Sequence, residues 1–167
     1  MKIQILFIIL FALNMLLIWG VRLSGKFRWY RWPGNFIFAV LPLLTVLFPQ
    51  PLFDLDYFWW KIAGAAAIIL GAGAIIWANQ QWKKTAPDTL ITTGPYQYLR
   101  HPIYLGLIFI IVGWWWLWAA VYSFYFGMFI LALIWAHAWL EEKLVMEKKF
   151  GDKFRAWRQE TGMFWIR

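Results

Sequence analysis

The chain has 167 residues, of which 63% are hydrophobic and only 14% charged, with a formal net charge of +8. A soluble domain carries about 45–50% apolar and roughly 25% charged residues, so this composition excludes a water-coated globule, and disorder with it. Cysteine is absent, which removes a disulfide framework, a thiolate nucleophile and thiolate metal ligands.

A helix that crosses a bilayer needs about 20 mostly apolar residues. Residues 3–21 form the first such run, broken only by Gln4 and Asn14. Its length and the lack of a small-x-small cleavage site favour a retained span over a cleaved signal peptide. Residues 35–53 form a second candidate, which Pro42, Pro49 and Pro51 kink or shorten. Residues 62–82 form a third. There Ala63, Ala67, Gly71 and Ala74 recur at helical spacing, the mark of close helix packing in lipid. Gly71-Ala72-Gly73 belongs to that packing face rather than to a nucleotide loop, because no strand precedes it.

Residues 103–140 contain no charged side chain. One helix over that stretch would be about 57 Å long, too long for a single crossing. The spacing therefore predicts a tight helical hairpin with its turn between 116 and 121. Trp114, Trp115, Trp116 and Trp118 then fall at an interface, where anchoring is the expected role rather than ligand stacking. From 141 to 158 helical periodicity returns, with Met146, Phe150, Phe154 and Trp157 on one face. Such a helix lies on the membrane surface or caps the bundle, and Gly151 is placed to break or bend it.

The expected fold is thus an all-α integral membrane protein of about five transmembrane helices. The last two form the hairpin, followed by a C-terminal amphipathic helix. The chain reads as a single membrane domain over 1–167, with N-terminal spans in 1–80. With the N-terminus outside, all but Lys2 and Lys61 of the 16 basic residues face the cytoplasm, as the positive-inside rule asks. The positive charge then reads as topology and attraction to anionic headgroups, not nucleic-acid binding, since no recognition module accompanies it.

Two cytoplasmic stretches are too polar for simple connectors. In the first, Thr93-Gly94-Pro95-Tyr96 is a turn signal, and Pro102 suits the first turn of a helix. Arg100 and His101 sit where that helix begins, and its N–H groups favour an anion there. The plainer readings are a snorkelling anchor for Arg100 and a cap for His101. The second stretch is Glu141-Glu142 at the end of the last span. Two acids at a helix C-terminus oppose the macrodipole and call for a cation, either an internal partner such as Arg100 or Lys83, or a ligand. His137 and Glu141 share a face. With two histidines and no cysteine, a metal centre is not expected, and His137 reads as a packed or hydrogen-bonded residue.

Together these stretches resemble the isoprenylcysteine carboxyl methyltransferase family and, more distantly, the phospholipid N-methyltransferases. The likeness is carried by Leu90-Ile91-Thr92-Thr93-Gly94-Pro95-Tyr96 and by Arg100-His101-Pro102-Ile103-Tyr104-Leu105-Gly106. Glu141-Glu142-Lys143-Leu144 and Phe150-Gly151 complete it. The likeness covers about residues 80–160.

The resemblance implies a membrane methyltransferase that uses S-adenosylmethionine, with a methyltransferase-like core over 81–167 and a lipophilic acceptor entering from the bilayer. It implies cofactor contacts at Gln81, Thr89, Leu90, Ile91, Tyr96, His101, Tyr104, Leu105 and Glu142. Arg100 would orient the acceptor. In the isoprenylcysteine enzymes a substrate-facing arginine stands one turn before the matched glutamate; here that position is Ala138. A phospholipid or thiol acceptor therefore stays open beside a carboxylate. A sterol-reductase-like protein binding NADPH and a non-enzymatic scaffold are the rivals. The chain is short for the former and has no dinucleotide fingerprint.

Overall fold

The computed structural model describes residues 2–54, 58–86 and 88–165. Arg167, one of the basic residues in the charge argument, lies outside the described residues. The long helices are α1 (Lys2–Ser24), α2 (Arg31–Leu44), α3 (Phe58–Lys84), α4 (Pro102–Trp118) and α5 (Val121–Glu141). A π-helical turn at Glu142–Met146 leads into α6 (Glu147–Phe150) and α7 (Asp152–Glu160).

Among the described residues, three helical stretches are long and apolar enough to cross a membrane: Ile5–Ser24, Phe58–Lys84 and Val121–Phe150. Trp32–Leu47 and Pro102–Trp118 are apolar but shorter. The all-α membrane class therefore stands, with three long candidate spans and two shorter apolar helices among the described residues where about five transmembrane helices were expected. The largest difference is in the second. Its helix starts at Arg31 and ends at Leu44, well before residue 53, because a short 3-10 turn at Thr45–Leu47 and then Pro49 and Pro51 stop it.

The chain divides into two compact units. One comprises Met1–Ala65 and Ile111–Leu133, the other Ala66–Ile110 and Ile134–Arg167.

In the first unit, Asn14 interrupts the apolar run of α1 for a reason. Its Nδ2 donates to the Gly34 carbonyl at 3.0 Å, and its Oδ1 accepts from the Tyr30 hydroxyl at 2.7 Å. The C-terminus of α2 leaves carbonyls without helical partners, which lipid cannot solvate. Side chains take them. Thr45 Oγ1 donates to the Pro42 carbonyl at 2.7 Å, Trp115 Nε1 to the same oxygen at 3.3 Å and Trp114 Nε1 to that of Leu43 at 3.0 Å. The tryptophan cluster is therefore not uniformly an anchor. Trp115 is buried structure, and Trp118, 49% exposed, remains the anchor-like member. A Cβ on Gly127 would overlap the Trp115 ring, so glycine is what lets that indole seat against α5.

The hairpin turn falls inside the expected interval. It runs between Trp118 and Val121, with Ala119 in the left-handed region at φ 48°. Segment 50–53 clamps it. Phe53 N–H donates to the Ala119 carbonyl at 2.7 Å, Val121 N–H to that of Pro51 at 3.1 Å, and Ser123 N–H to Gln50 Oε1 at 2.9 Å.

In the second unit, α3 and α4 touch at backbone distance. A Cβ on Gly106 would lie 2.6 Å from the Gly71 carbonyl oxygen. The first unit holds the matching contact one heptad away, where a Cβ on Gly64 would lie 2.8 Å from the Gly113 carbonyl oxygen. The small-residue face of α3 is thus a packing seam.

Candidate cofactor site

The site begins with the chain between α3 and α4. Gly94 takes φ +65°, which opens the short 3-10 turn Gly94–Gln97. Tyr98 and Leu99 N–H groups both donate to the Pro95 carbonyl, at 3.2 and 3.1 Å. That turn delivers Arg100 and His101 to the start of α4, and Pro102 follows where its missing N–H costs nothing.

The C-terminal segment then closes on them. Leu99 and Gly162 form an isolated parallel bridge; Arg100 N–H donates to the Gly162 carbonyl at 2.9 Å and His101 N–H to that of Met163 at 3.3 Å. The two N–H groups just before α4 are therefore taken by the chain's own tail.

Glu142 is the hub. Its side chain is 1% exposed. Its Oε1 accepts from Arg100 Nε at 2.7 Å and lies 3.1 Å from His101 Nε2; its Oε2 lies 3.5 Å from Arg100 Nη2 and 3.6 Å from Arg158 Nε. The cation that the paired acids demand is thus Arg100, joined by Arg158 from α7. Arg158 also pairs with Glu147 at 2.8 Å. Arg100 spends its remaining reach on the carbonyls of Arg158, at 3.2 Å, and Thr161. Those carbonyls end α7 and lack helical partners, so a forked guanidinium suits the position better than a lysine.

Glu141 turns to a different partner. Tyr104 Oη donates to its Oε2 at 2.7 Å. Tyr104 stacks on His101 at 5.4 Å between ring centroids and meets the edge of His137 at 5.6 Å. Phe164 approaches His101 at 6.0 Å. Burial, and secondly the Glu141 charge, push the Tyr96 phenol up to about 12.

Of the residues expected at the site, Arg100, His101, Tyr104 and Glu142 come together in one cluster, and Tyr96 feels its charge. Leu105 follows Tyr104, half-buried on α4. Gln81 and Thr89 bond within their own segment. Gln81 Nε2 donates to Thr93 Oγ1 at 2.5 Å, and Thr89 Oγ1 donates to the Ala86 carbonyl. Leu90 and Ile91 are half-buried in the same segment. Sequence reasoning did not single out Arg158, Thr161 or residues 162–164. No local pattern marks them, because they reach the cluster by contacts some 60 residues away in the chain.

The implied methyl donor carries two cationic groups and a carboxylate, and the donor set here fits it. Half-buried Tyr96 and Tyr104 beside the Glu141 carboxylate suit a cation. Arg100 is spent on Glu142 and on backbone carbonyls, so the part-exposed Arg158 is the guanidinium of the cluster that suits a carboxylate.

Comparison with curated proteins and with solved structures matched nothing. The family model for phospholipid methyltransferase matches residues 59–153, which takes in α3, α4, α5 and the Arg100–Glu142 cluster but ends short of Arg158 and the tail. With more than half of its length matched, the chain belongs to the phospholipid methyltransferase family, and it is a membrane methyltransferase that uses S-adenosylmethionine.

Proposed function

We propose that the enzyme methylates the amine of a phospholipid headgroup. The observation that carries this reading is the division of labour between the two acids. Glu142 is saturated by Arg100, His101 and Arg158, whereas half-buried Glu141 has the Tyr104 hydroxyl as partner beside Tyr96.

Bound S-adenosylmethionine supplies a methyl group on a positively charged sulfur. The chain's own residues then have three tasks. Tyr96, Tyr104 and Glu141 receive the cationic part of the cofactor, and Gln81, Thr89, Leu90, Ile91 and Leu105 enclose the rest. Arg100, His101 and Glu142 fix the start of α4 against the π-helical turn and so act as positioning residues. Positioning of this kind supplies most of the rate in a simple group transfer. An amine must also reach the sulfonium without its proton, and the half-buried Glu141 carboxylate, which accepts from Tyr104, is the base assigned to take it.

Residues 81–167 carry the transfer site in this reading, and residues 1–80 supply membrane spans. The charge pattern supports an N-terminus outside and a cytoplasmic C-terminus, so the methyl donor enters from the cytoplasm. A carboxylate of the isoprenylcysteine type is the second reading. It is favoured by the Arg100-His101-Pro102-Ile103-Tyr104-Leu105-Gly106 string and weakened at Ala138, a fully buried alanine where those enzymes carry arginine.

The test is incubation of detergent-purified protein with radiolabelled methyl donor and, separately, phosphatidylethanolamine, a prenylcysteine analogue and a lipophilic thiol. Label on the lipid amine is the expected result. Label confined to the prenylcysteine ester or to the thioether would replace the amine acceptor. No transfer to any of the three by folded protein would overturn the acceptor readings together.

A further inference from the structure

The network around Glu142 holds more cations than its two carboxylates need. Arg100, Lys143 and Arg158 meet Glu142 and Glu147. Glu142 has Arg100 at 2.7 Å and the His101 ring at 3.1 Å, and Glu147 has Lys143 at 2.8 Å. Arg158 adds a further contact to each acid. Its Nη1 donates to Glu147 Oε1 at 2.8 Å, while its Nε stands 3.6 Å from Glu142 Oε2, beyond hydrogen-bond length.

The two guanidinium groups differ in freedom. The Arg100 side chain is 8% exposed, and its donors are spent on Glu142 and on the carbonyls of Arg158 and Thr161. The Arg158 side chain is 36% exposed, and its Nη2 makes no hydrogen bond among the described residues. Its backbone is nevertheless rooted. Arg158 sits in the last turn of α7 beside the buried Trp157, and its carbonyl accepts from Arg100. Its side chain can therefore leave Glu142 and Glu147 without stranding either, because Arg100 stays on the first and Lys143 on the second. Arg100 has no such freedom, since its departure would uncover a buried charge.

S-adenosylmethionine brings a carboxylate to a region that already holds three acids, Glu141, Glu142 and Glu147. That carboxylate needs a cation of its own. The N–H groups of Arg100 and His101 are taken by the Gly162 and Met163 carbonyls, so the backbone just before α4 does not supply the donors. We propose that Arg158 binds the cofactor's carboxylate, exchanging its contacts with Glu142 and Glu147 for a forked pair with that group, and so makes the site selective for a carboxylate-bearing methyl donor. This assignment rests on the placement of the cofactor at this cluster under the proposed function. It falls beyond residue 153, where the match to the family model ends.

The test is calorimetric titration, with no methyl acceptor present, of native, Arg158→Gln, Arg158→Lys and Glu142→Gln protein in nonionic detergent. The titrants are S-adenosylmethionine and its decarboxylated analogue, which keeps the sulfonium and the ammonium and lacks only the carboxylate. Native protein should bind the full cofactor at least ~10-fold tighter than the analogue. Arg158→Gln should weaken S-adenosylmethionine by ~10-fold and leave the analogue unchanged, so that the preference collapses. Arg158→Lys keeps the charge but not the fork, and its preference should fall between the two. Equal affinity of native protein for the two compounds would overturn the proposal. Equal weakening of both by Arg158→Gln, the mark of a structural role, would do the same. A loss in Glu142→Gln with none in Arg158→Gln would remove Arg158 and leave the placement of the cofactor standing. No saturable binding by folded native protein would overturn both. Should Arg158→Gln not fold, Arg158→Lys and the comparison of the two compounds on native protein decide the matter.

Discussion

The two units answer the same problem, buried polar groups in an oily chain, with different chemistry. The first uses neutral donors: Asn14 on Gly34, Thr45 and Trp115 on Pro42, Trp114 on Leu43, and Gln50 on Thr45 and Ser123. The second uses charge, with Glu142 serving Arg100, His101 and Arg158 at once. Neutral bonds fail one at a time. A shared buried charge fails as a group, because removing one member leaves the others uncompensated. The contrast sets the two units apart: the one that spends charge on a single carboxylate is the one that holds the Arg100–Glu142 cluster.

The contrast is broken most severely at its hub. Glu142→Ala strands Arg100 and Arg158, and should cost about 3–5 kcal/mol, read as a lower unfolding midpoint in detergent. Glu142→Gln keeps hydrogen-bonding capacity and should lose less. In the neutral unit the largest single effect is expected at Gly127→Ala, where the new methyl meets the Trp115 ring; overpacking of this kind costs about 1–3 kcal/mol. A Gly127→Ala protein as stable as the native one would show that Trp115 can move aside.

Smaller effects sharpen the comparison through pH. Tyr96 has its folded-state phenol raised to about 12, above the ordinary value of 10.0. The folded state therefore holds that proton more tightly than the unfolded chain. The stabilisation is complete below pH 10.0 and is lost as pH rises towards 12. Absorbance titration of tyrosinate should show Tyr96→Phe losing a component that ionises late in the native protein. An unchanged curve would remove Tyr96 from the charged environment.

The smallest effect is expected at Asp88, held below its usual carboxylate range by the Lys149 ammonium. Its contribution is present above that range and disappears as pH falls through it. Both groups are solvent-exposed, so Asp88→Asn should leave the unfolding midpoint almost unchanged at physiological salt, with any difference confined to low ionic strength.

Much of this was legible in the sequence, and the limits are physical. Absence of charge over 103–140 together with the length limit on a crossing located the hairpin turn, because both are local properties. Adjacent acids at a helix end demanded a cation, and Arg100 was one of two candidates. The second helix ends at Leu44 rather than near residue 53, because apolar character continues past Leu44 while the prolines end the helix. The tryptophans looked alike in sequence, but the carbonyls that Trp114 and Trp115 serve lie some 70 residues away in the chain. The strap formed by Gly162 and Met163 was invisible for a similar reason. It is made by backbone carbonyls, which every residue possesses, so no side chain announces it.

In the proposed site the Glu142 hub shapes the binding of S-adenosylmethionine. Calorimetric titration of S-adenosylmethionine into native protein and into Glu142→Gln protein of native helicity tests it most directly. Saturable binding by the native protein, weakened at least ~10-fold by the substitution, is the predicted result. Equal affinity in the two proteins would contradict it.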